Sequence, residues 1–190
     1  PDEARAGRWV SGTFGWWWRY EDGNYPTSTQ LRIDGAIYRF NARGYMVTGW
    51  VYEDGQWYYY GASGGQSAGW VRVHGTWYYL DPLTGAMTSG WTKVQGTWYY
   101  LSSSGAMRTG WVRDGSAWYY LTSSGALATG WQCGGSSWYY LSPDGGAMAT
   151  GWLRDGDAWY YLTSSGAMAT GSRWIDGTRY AFDGEGRLMP

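Results

Sequence analysis

Pairs of tryptophans recur along this chain at a spacing that suits ligand binding. Six tryptophans that follow a glycine are separated by 20 or 21 residues, and a second tryptophan lies seven residues after each. The face of an indole ring attracts a cation, and it also stacks on the flat face of a sugar. A quaternary ammonium has no N–H group to donate, so aromatic faces suit it better than carboxylates. The pattern predicts repeated aromatic pockets for a cationic or sugar ligand.

Short β-hairpins are the elements that must position these rings. The stretch Gly110–Gly130 reads GWVRDGSAWYYLTSSGALATG, and its hydrophobic period is two rather than 3.6. A glycine in every unit supplies the positive φ of a tight hairpin turn. We therefore predict an all-β fold, a repetitive β-hairpin solenoid. The predicted turns are Asp54-Gly55, His74-Gly75, Gln95-Gly96, Asp114-Gly115, Gly134-Gly135, Asp155-Gly156 and Asp176-Gly177.

The spacing of seven also predicts which rings share a face. Side chains alternate along a strand, and residues paired across a two-residue turn have an odd separation. Trp111 and Trp118 therefore share one face with Tyr120, and Tyr119 takes the other face. Stacked hairpins then form clefts walled by two tryptophans and by the first triplet tyrosine of the next unit, with a loop Met or Leu as the floor.

This rule gives six candidate sites. They are Trp50, Trp57 and Tyr78, with Gln66 at the Met position; Trp70, Trp77, Tyr99 and Met87; Trp91, Trp98, Tyr119 and Met107; Trp111, Trp118, Tyr139 and Leu127; Trp131, Trp138, Tyr160 and Met148; and Trp152, Trp159, Tyr180 and Met168.

The same rings can alternatively form the core. A stack of short hairpins is stabilised only by contacts between repeats. Aliphatic residues at fixed positions offer that core, so the face with two tryptophans has no need to be wholly buried. These residues are Val51, Val71, Val112, Leu80, Leu101, Leu121, Leu141 and Leu162.

The regular units cover residues 49–171. We interpret residues 1–48 as atypical opening hairpins that cap the array, with residues 1–14 irregular. Gly15–Tyr20 is predicted to pair with Tyr25-Pro26 across an Asp-Gly turn, and a second hairpin has Gln30 and Ile37 where later units have Trp. Residues 172–190 form an atypical terminal hairpin, as expected of an array end.

Composition disfavours several classes of function. The net charge is −1, without the basic surface that nucleic acid requires. No apolar run approaches the ~18 residues of a membrane span. Cys133 is the one cysteine and His74 the one histidine, each at a turn, and the aspartates repeat at turn positions. We therefore expect no enzyme, cofactor or metal. The start PDEARAGRWV resembles no signal peptide and suggests a fragment or a processed chain.

Units such as GWVRVHGTWYYLDPLTGAM and GWTKVQGTWYYLSSSGAM resemble the choline-binding repeats of Gram-positive cell-surface proteins. The resemblance is close over residues 49–171 and looser over 29–190. It implies a superhelix of β-hairpins, with each site built from two aromatics of one repeat and one of the next. It further implies a non-catalytic, extracellular, cell-wall-associated module that binds choline or phosphocholine on teichoic acid and anchors a surface protein or lysin.

Two other functions remain open. Similar repeats bind α-glucans in streptococcal glucosyltransferases and carbohydrate in clostridial toxins, although the Met-containing loops and regular Gly-Trp spacing favour choline here. The chain can instead be an adhesin array directed at a host molecule. The altered terminal hairpin is a candidate dimer surface.

Overall fold

The computed structural model describes all 190 residues and contains strands without helices, which confirms the predicted all-β fold of repeated hairpins. It therefore holds no helix able to cross a membrane. The strands are β1 (Asp2–Glu3), β2 (Gly7–Gly12), β3 (Gly15–Tyr20), β4 (Thr29–Ile33), β5 (Ala36–Phe40), β6 (Gly49–Glu53), β7 (Gln56–Tyr60), β8 (Gly69–Val73), β9 (Thr76–Leu80), β10 (Gly90–Val94), β11 (Thr97–Leu101), β12 (Gly110–Asp114), β13 (Ala117–Leu121), β14 (Gly130–Gly134), β15 (Ser137–Leu141), β16 (Gly151–Asp155), β17 (Ala158–Leu162), β18 (Gly171–Ile175) and β19 (Thr178–Phe182).

From β2 onward, each even-numbered strand pairs with the next strand in an antiparallel hairpin. In most hairpins, such as β6–β7, the turn is an Asp-Gly or similar pair in which both residues have positive φ: Asp54 at 50° and Gly55 at 79°. Positive φ at both positions defines a type I′ turn, whose twist matches that of the strands.

Three hairpins of the regular units use a different turn, and here the predicted turn residues are wrong by one position. The last paired residues are Asp114, Gly134 and Asp155, so these belong to strands rather than to turns. Only the first turn residue has positive φ, which indicates a type II′ turn with glycine first. Changing the turn type absorbs the shifted glycine and keeps the strand register. The observed turns are Gly115-Ser116, Gly135-Ser136 and Gly156-Asp157.

The start of the chain also differs from the prediction. Gly15–Tyr20 pairs with Gly7–Gly12 rather than with Tyr25-Pro26, so residues 1–14 are not irregular. The pairing places Trp9 opposite Trp18, and the Trp9 ring lies 4.8 Å from that of Tyr38. This aromatic contact stabilises the N-terminal hairpin more than the local Asp-Gly signal stabilises the alternative, whose second strand contains a proline.

The chain divides into two compact units. The first comprises Pro1–Gly90 with Leu101–Met107, and the second comprises Trp91–Tyr100 with Arg108–Pro190. In each unit, the last residue of nearly every hairpin is fully buried and forms the core. This confirms the predicted aliphatic core at the leucines, whereas Val51 and Val71 are only half-buried. The fully buried residues at this position are Phe40, Tyr60, Leu80 and Leu101 in the first unit, and Leu121, Leu141, Leu162 and Phe182 in the second.

The loops between hairpins absorb the difference between repeats of 20 and 21 residues. In the shorter loop, the N–H of Gly125 donates to the carbonyl of Thr122, three residues earlier. In a longer loop, the N–H of Gly146 donates to the carbonyl of Ser142, four residues earlier. Because the extra residue is contained inside this turn, the next hairpin keeps its register.

Candidate ligand-binding site

The strand register places both tryptophans of a unit on one face. In β14–β15, Trp131 pairs with Tyr140 and Cys133 pairs with Trp138, so these four side chains project from the same side. Tyr139 pairs with Gln132 and projects from the opposite side. This is the arrangement that the spacing of seven predicts, and the hairpins β6–β7, β8–β9, β12–β13 and β16–β17 share it.

The first tryptophan of a unit contacts the predicted tyrosine of the next unit. The ring of Trp131 lies 4.8 Å from that of Tyr160, with the planes at 60°. The same edge-on contact, at 4.8 or 4.9 Å, recurs in four further junctions within the two units. These pairs are Trp50 with Tyr78, Trp91 with Tyr119, Trp111 with Tyr139, and Trp152 with Tyr180.

The methionine or leucine of each site is the feature that the structure corrects. The spacing rule groups Trp138 with Met148, but the N–H of Met168 donates to the Trp138 carbonyl at 2.8 Å. Each loop reaches back past its own hairpin, so the correct residue lies one unit later in sequence. The observed pairs are Met87 with Trp57, Met107 with Trp77, Leu127 with Trp98, Met148 with Trp118, Met168 with Trp138, and Leu188 with Trp159.

Three of these clusters line open cavities of similar size. The cavity at Trp131 measures about 400 Å³, that at Trp91 about 340 Å³ and that at Trp50 about 310 Å³. Their walls are Trp131, Trp138, Tyr160, Met168, Gly184, Glu185 and Arg187; Trp91, Trp98, Tyr119, Leu127 and Gly145; and Trp50, Trp57, Tyr78, Met87, Ser103 and Ser104. Each cavity thus combines two tryptophans and a tyrosine with loop residues from later units.

The second tryptophan of each unit leaves a large part of its ring exposed. Trp138 is 46 % exposed, whereas Leu141, three residues later on the same strand, is fully buried. Exposed rings at a repeating position leave room for a ligand. The chain's own cations already use such faces: Lys93 Nζ lies 5.6 Å from the Trp98 ring centre and the Arg72 guanidinium 5.9 Å from that of Trp77.

The remaining predicted sites have the same parts. Trp152 and Trp159 have ring centres 6.3 Å apart, and Tyr180 lies beside Trp152. Trp70 and Trp77 are 6.4 Å apart in their own hairpin. Their grouping with Tyr99 stays a prediction. In the terminal hairpin, Ser172 and Arg179 stand where regular units have tryptophans, and Arg179 Nη2 donates to Ser172 Oγ at 3.2 Å.

The opening hairpin β4–β5 carries a polar version of the junction. Gln30 stands at the first tryptophan position, and its Nε2 donates to Glu53 at 3.1 Å and to the Tyr60 hydroxyl at 3.0 Å. Arg39 forms an ion pair with Glu53 in the same network. Burial raises the pKa of Tyr60 to about 12. A polar cavity of about 620 Å³ lies here in place of an aromatic cage.

Two carboxylates contact the sites although the repeat pattern places them at turns. Trp131 Nε1 donates to Asp155 Oδ2 at 2.8 Å, and Trp91 Nε1 donates to Asp114 Oδ2 at 2.9 Å. Sequence reasoning missed both contacts. The signal for them was the turn glycine, which lies four residues after the Gly-Trp tryptophan in the units of Asp114 and Asp155 and five in most others.

Comparison with known family models identifies the repeat. A model described as a choline-binding repeat matches residues 27–69, 53–90, 67–109, 88–130, 108–151 and 149–189. No match was found among curated proteins.

Solved structures from Streptococcus pneumoniae are similar to the chain. Choline-binding protein F, in the presence of a peptidoglycan analogue, is 36 % identical with a TM-score of 0.79 over 92 % of this chain and 61 % of its own. CbpJ is 29 % identical with a TM-score of 0.77 over 97 % of this chain and 94 % of its own. The modular autolysin LytC is 32 % identical with a TM-score of 0.73, and the match covers 97 % of this chain but only 42 % of LytC.

Proposed function

This chain belongs to the choline-binding-repeat family, and we propose that it is a non-catalytic cell-wall-binding module that holds choline in the cages between consecutive units. The observation that carries the proposal is the repeated cage, seen most fully where Trp131, Trp138, Tyr160 and Met168 surround one cavity. Three electron-rich rings and a polarisable thioether suit a trimethylammonium group, which offers methyl groups and a diffuse positive charge.

The ligand in the cell is then a polymer that carries many choline groups, and we identify it with the phosphocholine of teichoic acid. One open cage made of exposed rings gives weak binding, because each cation–π contact contributes only about 0.5 to 2 kcal/mol. Several cages on one chain raise the overall affinity by multivalency. This favours an extracellular anchor for a surface protein or a lysin.

A titration tests the proposal. Free choline at tens of millimolar is expected to change tryptophan fluorescence and to raise the melting temperature, because it binds the folded state alone. Choline chloride is compared with sodium chloride at equal ionic strength, so that a salt effect is subtracted. A matched titration with dextran, an α-glucan, tests the carbohydrate alternative on the same rings.

The outcomes separate the candidates. A response to choline without one to dextran supports the proposed function. A response to dextran alone overturns it in favour of α-glucan binding, and a response to neither leaves an adhesin or structural array. Self-association through the terminal hairpin, where Trp174 is 74 % exposed, stays a separate prediction that sedimentation of the full chain tests.

A further inference from the structure

The sites are alike in their rings but differ in the charges that surround them. Two positions produce the difference. One is the last residue of the first strand in the following hairpin, which reaches the indole N–H of the first tryptophan. The other is the residue paired across the strands from the second tryptophan, on the face that the rings share.

At the first position, a carboxylate occurs in two of the junctions. Trp91 donates to Asp114 and Trp131 to Asp155. Trp111 instead faces Gly134, where an added Cβ would lie 3.4 Å from the indole nitrogen and 3.1 Å from the Tyr139 ring. The aspartates reach this position because the type II′ turn moves them from the turn into the strand. Gln30 and Glu53 repeat the relation in the opening hairpins, so an acidic acceptor here is a recurring option of the fold.

At the second position, most regular units carry a cation. Arg113 pairs with Trp118, Arg154 pairs with Trp159, and Lys93 lies over Trp98. These positive charges oppose a cationic ligand on the same face. The Trp131 unit differs, because the neutral, exposed Cys133 pairs with Trp138. The Trp50 unit also has a neutral residue, Tyr52, but the aspartate position of its junction holds Val73.

The Trp131 junction therefore combines a fixed carboxylate with the loss of the opposing cation. Glu185 and Arg187 at its rim form an ion pair with each other, so they add no net charge. A carboxylate that accepts from an indole N–H increases the electron density of the ring and adds its own attraction for a cation above that ring. At the Trp91 junction, the positive charge of Lys93 offsets the negative charge of Asp114. At the Trp111 junction, Arg113 supplies a positive charge and no carboxylate offsets it.

We propose, in an inference that rests on the proposed function, that Asp155 and Cys133 make one cage the most cation-selective of the sites. This is the cage of Trp131, Trp138, Tyr160 and Met168. Asp155 is the residue that determines this selectivity, acting through the Trp131 ring. The other cages hold choline more weakly and discriminate less between choline and a neutral molecule of the same shape.

The test uses two probes on the full chain: choline and its uncharged isostere 3,3-dimethylbutan-1-ol. Binding at each site is followed by the indole N–H signals of individual tryptophans in NMR spectra, assigned with single Trp→Phe variants. In the unmodified chain, the ratio of choline affinity to isostere affinity is expected to be highest at Trp131 and Trp138.

Asp155→Asn keeps a side-chain acceptor of the same shape but removes the charge. The variant is expected to reduce the affinity for choline at this site by about two- to five-fold, which is the effect of one charge roughly 7 Å away in a hydrated environment. The affinity for the isostere is expected to stay unchanged. Asp157→Asn is the matched control, because it removes an equal charge from the exposed turn two residues away. Cys133→Arg is expected to weaken choline in the same way as Asp155→Asn.

A gain-of-function variant tests the same relation in the opposite direction, and its melting temperature is measured alongside, because the new Cβ would lie 3.1 Å from the Tyr139 ring. Gly134→Asp places a carboxylate beside Trp111, at the strand position that Asp114 and Asp155 occupy in the neighbouring hairpins, and is expected to strengthen choline at Trp111 and Trp118. Equal weakening of both probes by Asp155→Asn makes Asp155 a structural partner of the indole and overturns the inference. An unmodified chain in which no tryptophan responds to choline overturns the proposed function as well, which is a distinguishable result.

Discussion

The backbone N–H of Met168 donates to the carbonyl of Trp138 at 2.8 Å, which joins a loop to a hairpin that lies thirty residues earlier. This bond brings the Met168 side chain into the cavity beside Trp131, Trp138 and Tyr160. A site is therefore built from one hairpin, from the tyrosine of the next, and from the loop that follows that tyrosine.

The first prediction separates Met168 from Met148. Met168→Ala is expected to weaken choline about three-fold at Trp138 and to cost roughly 1–2 kcal/mol of unfolding free energy, because a half-buried side chain is lost. Met148→Ala is expected to act at Trp118 instead. Site-resolved NMR titration measures both, and Met168→Leu is the control, since Leu127 fills this position at Trp98. Weakening at Trp138 by Met148→Ala would contradict the observed pairing.

The second prediction concerns the exposed ring of the same cage. Trp138→Ala is expected to reduce choline affinity at its own site by about three- to thirty-fold, the loss of one cation–π contact, and to leave distant sites unchanged. Trp174→Ala removes an even more exposed tryptophan that belongs to no cage and is expected to change no site. Calorimetric titration counts the sites that remain. An equal loss at all sites would identify Trp138 as a core residue.

The third prediction tests the packing beneath the cages. Gly166 has φ +81°, and a Cβ there would meet the side chain of Met148. Gly166→Ala is expected to cost about 2–4 kcal/mol, the sum of backbone strain and overpacking. Gly130→Ala, at φ +72° with nothing within 4 Å, supplies strain without the clash and is expected to cost about 1–2 kcal/mol.

Denaturant unfolding measures both glycine variants. The double variant Gly166→Ala with Met148→Ala is expected to destabilise less than the two changes added together, because the clash is removed. Strict additivity would show that Gly166 and Met148 are energetically independent. Gly166→Ala alone is also expected to reduce the affinity for choline at Trp118, because the Trp118 carbonyl accepts from the Met148 N–H.

The fourth prediction is a pH dependence from Tyr60. Burial raises its pKa from 10.0 to about 12, so the folded state keeps the neutral phenol where the unfolded chain has lost the proton. The stability from this difference is complete below about pH 10 and is lost as the pH rises to about 12. Urea midpoints across this range are expected to fall more steeply for the unmodified chain than for Tyr60→Phe. Phe40 and Phe182 occupy the equivalent position, so phenylalanine fits.

At neutral pH, Tyr60→Phe is expected to cost only about 1 kcal/mol, for the hydrogen bond from Gln30. An equally steep alkaline loss in Tyr60→Phe would assign the transition to other groups.

Local spacing was enough to predict much of this molecule. The alternation of strand faces places Trp111, Trp118 and Tyr119 as observed, because the two-residue turn keeps the separation of paired residues odd. The identity of the floor residue was not predictable in this way. Met168 reaches Trp138 through a contact thirty residues apart, and no rule of alternation within a hairpin fixes such a distance.

The errors at the turns and at the N-terminus have different physical causes. Asp114-Gly115 fits a type I′ turn equally well as a sequence, but the strand register requires Gly115 at the first turn position. The N-terminal hairpin depends on Trp9 packing against Trp18 and Tyr38, a tertiary contact that outweighs a local turn signal. Both Asp114 and Asp155 reach their sites through this change of turn.

Because each loop contacts an earlier hairpin in the same way, whole repeats can be removed or added without a change in the register of the others. Excision of residues 131–151 would join Gly130 to Trp152 and recreate the Gly-Trp junction in register. The deletion removes one cage. The hairpins on either side of it become neighbours and form a new cage from the same types of residue at the same repeat positions. Recombination between copies can therefore lengthen or shorten the chain by one site at a time. The number of sites, and with it the avidity, can then change without any substitution inside a cage.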